Sequence, residues 1–183
     1  MLFAAFVSCA KTELDAPADM KLASVPAADY YLYVPNDWII SSQDGITAAY
    51  ASVTDTSNVS CARYSLTEDN AAIYENTGED EKAEVTYAKN YWTGYVAQLA
   101  TALPGFSMIS GPDTALLDGH AAVKCSYSAS LSGKTYKYTM VICIKSTYAY
   151  ILTFTAEEAY YEVDSAYFDK IVSEFRFQTG RFE

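Results

Sequence analysis

The sequence contains only one histidine and eight glycines, and both shortages exclude classes of catalysis. Most serine and cysteine hydrolases need a histidine base, and His120 is the only candidate in this chain. It directly follows an Asp-Gly pair that is typical of a tight hairpin turn, which favours a structural role for it. The glycines form no phosphate-binding loop, and no serine lies in a GxSxG pattern.

Basic residues are also scarce. The chain has 12 Lys and Arg residues against 23 Asp and Glu residues, which gives a net charge of −11. An acidic surface of this kind repels phosphates, so nucleic acids are excluded as partners. Hydrophobic residues make up 51% of the 183 residues and charged residues only 19%, a composition that predicts one folded domain.

The cysteines lack the spacing of a zinc site, because the chain contains no CxxC motif. Cys61, Cys125 and Cys143 lie in apolar, strand-like runs, and three is an odd number for a set of disulfides. A two-residue turn in "LSGK" would place Cys125 opposite Met140, three residues from Cys143. We therefore predict free, buried thiols.

Long apolar runs are missing as well, and the run before Cys9 has fewer than half of the about 20 residues that a membrane-spanning helix needs. The letters "FVSC" place Cys9 after a small residue, as at the end of a lipoprotein signal. We predict a remnant of such a signal at residues 1–9, a lipid on Cys9, a flexible tether at residues 10–28 and one domain at residues 29–183.

Strand-like runs dominate the predicted domain. The stretch "DYYLYVPNDWII" opens it, and "GITAAYASV" and "NVSCARYSL" form a hairpin across the polar turn "TDTS". Further strands are joined by the tight turns "LDGH", "LSGK" and "KSTY", so consecutive strands must be antiparallel. The centres "MVICI" and "AYILTF" are apolar on both faces, which indicates that both faces of the sheet are covered.

Two helices are predicted to provide that cover. The first is indicated by apolar residues at helical spacing before Pro104, namely Ala88, Trp92, Tyr95, Val96, Leu99 and Leu103. The second is indicated in the same way by Tyr167, Phe168, Ile171, Val172 and Phe175. The predicted fold class is α+β, with a central antiparallel sheet covered by helices on both faces in an α/β/α sandwich.

Carboxylates cluster in two places. Seven acids lie between residues 68 and 84, namely Glu68, Asp69, Glu75, Glu79, Asp80, Glu81 and Glu84. They lack the ligand spacing of an EF-hand. This favours a solvent-exposed, acidic start of the first helix over weak binding of a divalent cation. Glu157 and Glu158 would be the pair for glycoside hydrolysis, but they are adjacent in sequence and are better explained as leading into the last helix.

The order of these motifs is similar to that of the PsbP-like group, which includes the extrinsic photosystem II protein and many bacterial lipoproteins. The residues that carry the resemblance are "YYLYVPNDWII", the first helix, "DGHAAV", "GKTYKYTMVICIKSTYAYILTFTA" and "FDKIVSEFRF", across about residues 29 to 178. The resemblance implies a central antiparallel sheet with helices on both faces. It also implies binding or assembly roles, with no common enzymatic activity.

We expect an extracytoplasmic, lipid-anchored binding or assembly module with no catalytic residues, cofactor or metal. Its partner would be a protein, peptide or glycan of the cell envelope, contacted by exposed aromatic residues for which Tyr30, Trp38, Tyr160 and Tyr161 are the candidates. The alternatives are a carboxylate-dependent enzyme of the cell envelope and a weak divalent-cation binding protein. Two buried, converging carboxylates in a deep pocket would favour the enzyme, and a shallow groove lined by tyrosines would favour binding.

Overall fold

The computed structural model describes residues 15–43, 45–66 and 81–178. The helices are α1 (Glu81–Ala102) and α2 (Glu158–Glu174). The strands are β1 (Met20–Leu22), β2 (Tyr30–Tyr31), β3 (Tyr33–Pro35), β4 (Ile39–Ile40), β5 (Ile46–Tyr50), β6 (Asn58–Ser65), β7 (Ser107–Leu117), β8 (His120–Leu131), β9 (Lys134–Lys145), β10 (Tyr148–Glu157) and β11 (Arg176–Phe177).

The central feature is a seven-stranded sheet in the order β4-β5-β6-β10-β9-β8-β7. Every pair of neighbouring strands in it is antiparallel. Two small antiparallel pairs, β1 with β3 and β2 with β11, lie outside this sheet. The prediction of an α+β fold built on an antiparallel sheet is therefore confirmed.

Tight turns set the register of the sheet. In the β7–β8 turn Asp118 and Gly119 have φ values of 49° and 77°, and in the β8–β9 turn Ser132 and Gly133 have values of 53° and 80°. Positive φ at both central residues is the geometry that matches the twist of a hairpin. As predicted, the second turn places Cys125 opposite Met140.

The three thiols described by the structure, those of Cys61, Cys125 and Cys143, are free and fully buried. Burial raises the pKa of each of them to about 12. These thiols are therefore protonated core residues at neutral pH, with little nucleophilic character.

Alternate residues of β10 belong to two separate hydrophobic clusters. Ile151 is in a cluster with Trp92 of α1, whereas Leu152 and Phe154 are in a cluster with Phe168 of α2. The rings of Phe154 and Phe168 stack with their centroids 5.6 Å apart. Successive side chains of a strand point to opposite faces of the sheet.

The folded part begins earlier than predicted. Strand β1 pairs with β3, and Met20 is 4% exposed within the core. The tether predicted at residues 10–28 is therefore wrong from Met20 onward. Strand β1 is three residues long, too short for its alternation to be recognised in the sequence. Residues 1–14, which include Cys9, lie outside the described residues.

One buried residue, Asp29, connects both ends of the domain to the sheet through its side chain and its backbone carbonyl. Asp29, just before β2, is 5% exposed and accepts hydrogen bonds from the guanidinium of Arg63 on β6 and, at 2.9 Å, from the hydroxyl of Tyr150 on β10. Its backbone carbonyl accepts a further bond, also 2.9 Å long, from the amide of Gln178. Arg63 is held in addition over the ring of Tyr148, 4.4 Å from its centroid.

A second buried carboxylate is poorly satisfied. Asp164 on α2 is 7% exposed, and its Oδ2 has no hydrogen-bond partner among the described residues. Burial raises the pKa of Asp164 above its ordinary value of 3.8. The nearby carboxyl group of Asp55 raises this pKa further, whereas Ser57 lowers it. The folded protein consequently holds a proton on Asp164 at pH values where the unfolded chain has lost it.

We expect the substitution Asp29→Ala to lower the free energy of unfolding by about 2 to 3 kcal/mol, because it leaves the buried hydroxyl of Tyr150 and the guanidinium of Arg63 without their acceptor. Urea denaturation followed by circular dichroism measures this effect. Asp37→Ala, at an exposed turn position, is the matched control and is expected to change the free energy by less than about 0.5 kcal/mol. Equal effects of the two substitutions would contradict the assigned role of Asp29.

Asp164 is expected to make the protein less stable as the pH rises. The folded state binds more protons than the unfolded state between the ordinary pKa of 3.8 and the raised one, so the free energy of unfolding falls across that interval. Asp164→Asn removes this pH dependence and is expected to be more stable than the wild type at pH 7 by about 1 kcal/mol. Thermal denaturation as a function of pH, with Glu162→Gln on the exposed side of α2 as control, provides the test. An unchanged pH profile in Asp164→Asn would disprove it.

Candidate functional site

A groove between the end of β6 and helix α1 is the candidate site, and we call it the tyrosine groove. Its volume is about 660 Å³. Four tyrosines line it, namely Tyr64, Tyr87, Tyr91 and Tyr95. The remaining described lining residues are Ser65, Leu66, Asn90, Gly94 and Gln98.

Helical spacing explains how α1 builds its side of the groove. Residues four apart lie above one another on a helix, so Tyr87, Tyr91 and Tyr95 form one stripe. The rings of Tyr91 and Tyr95 lie within 17° of parallel, with their centroids 6.3 Å apart. Trp92, buried in the core, contacts Tyr95 from below at 6.5 Å between centroids. The aromatic surface is therefore supported by the hydrophobic core and presented in a fixed orientation.

A second stripe on α1 is polar and has a gap at its centre. Asn90 and Gln98 lie on either side of Gly94, and a Cβ atom added at Gly94 would meet nothing within 4 Å. Glycine inside a helix costs about 1 kcal/mol of stability relative to alanine. The missing side chain leaves open space along the helix between two amide groups.

The described lining of the tyrosine groove carries no charged side chain. Burial raises the pKa of Tyr91 and of Tyr95, so both phenols are neutral at physiological pH. Neutral phenols, amides and a serine hydroxyl can each donate and accept hydrogen bonds. The groove is chemically suited to bind an uncharged surface, and these groups offer no general acid or base near neutral pH.

Two of the aromatic residues predicted to face a ligand are core residues in the structure. Tyr30 is 4% exposed, stacks on Phe175 at 5.5 Å and places its hydroxyl 2.8 Å from the hydroxyl of Thr47. Trp38 is 2% exposed and packs against Tyr167 of α2 at 6.1 Å. The packing of α2 and β11 on the opening segment covers both side chains, so neither is available to a ligand in this structure.

The other two predicted aromatic residues lie on α2, away from the lining of the tyrosine groove. Tyr160 is 42% exposed. Tyr161 is half-buried, packs on Phe154 at 5.7 Å and shares a hydrogen bond with the hydroxyl of Thr139. A ligand-binding role for Tyr160 and Tyr161 stays a prediction.

The candidates considered for catalysis take structural positions. The ring of His120 contacts Phe177 edge-on at 5.4 Å, and its Nε2 lies 3.0 Å from the ammonium group of Lys145. Glu157 ends β10 and pairs with Lys134 at 2.6 Å, whereas Glu158 begins α2. The prediction that these glutamates lead into the last helix is confirmed. Residues 67–80, which carry most of the acidic segment, lie outside the described residues.

Within residues 15–43, 45–66 and 81–178, no three His, Cys, Asp or Glu side chains lie close enough together to hold a metal ion. Neither of the two described helices combines the length and the apolar character needed to cross a bilayer.

The sequence contains a signal for the tyrosine groove. Tyr87, Tyr91 and Tyr95 recur every fourth residue, and of these only Tyr95 belongs to the apolar set that predicted the helix. Tyr64 joins them only through the pairing of β6 within the sheet and the packing of α1 on it.

Comparison with solved structures finds the same fold in distant proteins. Cyanobacterial PsbP (CyanoP) from Synechocystis sp. PCC 6803 is 14% identical over 88% of this chain and 94% of its own, with a TM-score of 0.58. The Ran-binding protein Mog1p of Saccharomyces cerevisiae is 9% identical over 90% of this chain and 98% of its own, with a TM-score of 0.57. LpqN of Mycobacterium tuberculosis, involved in cell envelope biogenesis, is 17% identical over 81% and 83%, with a TM-score of 0.52.

Comparison of the sequence with curated proteins finds no match. A family model does match, and it is described as PsbP-like protein. The match runs from residue 16 to residue 177, so it includes β1 and ends at the last residue of β11. This chain therefore belongs to the PsbP-like protein family.

Proposed function

We propose that this protein is a non-catalytic binding or assembly module of the cell envelope, held at the membrane by a lipid on Cys9, and that its ligand binds in the tyrosine groove. The observation that carries the proposal is the groove itself. It is open, lined by four tyrosines, and uncharged over its described lining. A surface of this composition binds through aromatic contacts and neutral hydrogen bonds.

The groove favours binding over the alternative of a carboxylate-dependent enzyme. Such an enzyme needs two carboxylates facing one pocket. The described lining of the tyrosine groove contains none, and Glu157 and Glu158 are each paired with a lysine on β9. Asp164 is buried, but it packs at the β5–β6 turn with Asp55 and lines no part of this groove.

The proteins that share the fold support a binding role through their names. Mog1p is a Ran-binding protein, and LpqN is involved in cell envelope biogenesis. At sequence identities of 9% and 17% these likenesses show the fold alone and transfer no site residue to this chain. By analogy with their roles we infer a partner at the cell envelope for this protein, and its own residues must specify that partner.

The proposal includes a sheet with one helix packed on each face. The cluster that contains Trp92 of α1 and the cluster that contains Phe168 of α2 take up alternate residues of β10, which supports this arrangement. The tyrosine groove, between α1 and the end of β6, then lies on the face that α1 covers. Its ligand would not compete with the packing of α2.

The proposed tether between lipid and domain is shorter than the sequence predicted. The carbonyl of Pro17 accepts a bond from the amide of Met20, and the carbonyl of Asp19 accepts one from the amide of Asn36. The tether would then run from residue 10 to about residue 16. Because an extended chain spans about 3.5 Å per residue, the domain would stay within about 25 Å of the anchor.

Lipid attachment is tested by mass spectrometry of the native protein. We expect Cys9 to carry a diacylglyceryl group, and Cys9→Ser to move the protein from the membrane fraction to the soluble fraction. Ser8→Ala keeps a small residue before the cysteine and is expected to leave the protein in the membrane fraction. An unmodified Cys9 in the native protein would rule out the anchor.

Two tyrosines of nearly equal exposure test the location of the binding site. Tyr64 in the tyrosine groove is 46% exposed, and Tyr160 on α2 is 42% exposed. We expect Tyr64→Ala to weaken partner binding about tenfold or more, because aromatic residues supply most of the binding energy of such surfaces, and Tyr160→Ala to leave it unchanged. Quantitative affinity capture from native envelopes measures both. Loss of binding only in Tyr160→Ala would move the site to α2.

A further inference from the structure

The polar groups of the tyrosine groove restrict the chemistry of its ligand. Asn90 and Gln98 each present both an amide donor and a carbonyl acceptor, and Ser65 and the tyrosine hydroxyls are also both donor and acceptor. A ligand that satisfies all of them must present donors and acceptors close together. Sugar hydroxyl groups have this property, because every hydroxyl is at once a donor and an acceptor.

The aromatic stripe provides the complementary apolar contact. Tyr91 and Tyr95 present two nearly parallel rings, 6.3 Å between centroids. A sugar ring exposes C–H groups on its face, and these are attracted to the electron-rich face of an aromatic ring. Both residues are partly exposed and line the groove, so contacts can extend beyond a single sugar unit, which favours an oligosaccharide over a monosaccharide.

Gly94 provides the space between the two kinds of contact. The position has no neighbouring atom within 4 Å of an added Cβ, and it lies between Asn90 and Gln98 on the same helix face. A ligand can approach the helix there and reach both amide groups. A glycine at this position weakens the helix. That cost in stability is explained if a ligand occupies the open space.

Charge disfavours one other kind of ligand, and hydrogen-bond chemistry disfavours a second. The net charge of −11 and the lack of Lys or Arg in the described lining disfavour acidic glycans. A proline-rich peptide also docks on aromatic residues, but it presents mainly carbonyl acceptors and few donors. It would leave the amide oxygens of Asn90 and Gln98 unpaired, at a cost for each one that becomes buried.

We propose that the tyrosine groove binds a neutral oligosaccharide, with sugar rings packed on Tyr91 and Tyr95 and sugar hydroxyls bonded to Asn90 and Gln98 across Gly94. This inference rests on the proposed function, because it names the ligand class of the same groove. The partner that the module contacts is then a glycan of the cell envelope.

The test is an NMR titration of the full chain with two neutral sugars, chitotetraose and maltotetraose. At least one of them is expected to shift the backbone amide of Gly94 and the side-chain amides of Asn90 and Gln98. Gly94→Leu fills the gap with a good helix former, so it is expected to raise the melting temperature and weaken sugar binding at least tenfold. Ala100→Leu, on the same helix outside the groove lining, is the matched control and is expected to bind as the wild type does.

If Gly94→Leu fails to fold, Gln98→Ala at its exposed position serves in its place, with an expected loss of about tenfold. Shifts confined to α2, or sugar binding unaffected by both variants, would overturn the inference. So would the absence of shifts with both sugars. If nonaproline then shifts the same amides, or if Tyr64→Ala still weakens partner capture, the binding groove stands and only its ligand class is wrong. If neither occurs, the proposed site fails as well.

Discussion

The buried carboxylate of Asp29 is the interaction on which the arrangement of the domain depends. It lies outside the seven-stranded sheet in sequence, yet it accepts hydrogen bonds from β6 and β10 at the centre of that sheet. Once it is fixed, β2 follows directly and pairs with β11. That pairing brings Phe175 and Phe177 onto Tyr30 and Tyr150, and so closes the larger hydrophobic cluster with the two ends of the folded chain.

The two helices use their aromatic residues differently. On α2, Phe168 is fully buried and stacks within the core, so this helix mainly closes the larger cluster. On α1, Trp92 is buried, but Tyr91 and Tyr95 are only partly buried and line a groove. A tyrosine can pack one ring face on the core while its hydroxyl stays accessible, and this suits the groove between α1 and β6 to the binding role proposed for it.

Family membership and function have separate physical origins in this protein. The fold is what the chain shares with cyanobacterial PsbP, and its membership of the PsbP-like family rests on the match over residues 16–177. Function belongs to the surface residues that each member adds to the fold, and low identity leaves those residues free to differ. The acidic net charge, the lack of a charged side chain in the described lining of the groove and the glycine at position 94 are properties of this chain. They carry the proposals made for it.

The sequence by itself determined the elements that depend on local chemistry. Asp-Gly and Ser-Gly turns require left-handed backbone at fixed points, and these turns set the β7–β8–β9 register and the position of Cys125. Apolar periodicity identified both helices. Only the tertiary structure decided which aromatic residues are covered. The sequence around Tyr30 and Trp38 does not distinguish them from exposed residues, but the packing of distant segments buries both. Tyr64 and Tyr91, in contrast, meet in a groove between β6 and α1. Burial depends on which segments meet in space, and a local pattern of residues does not contain that information.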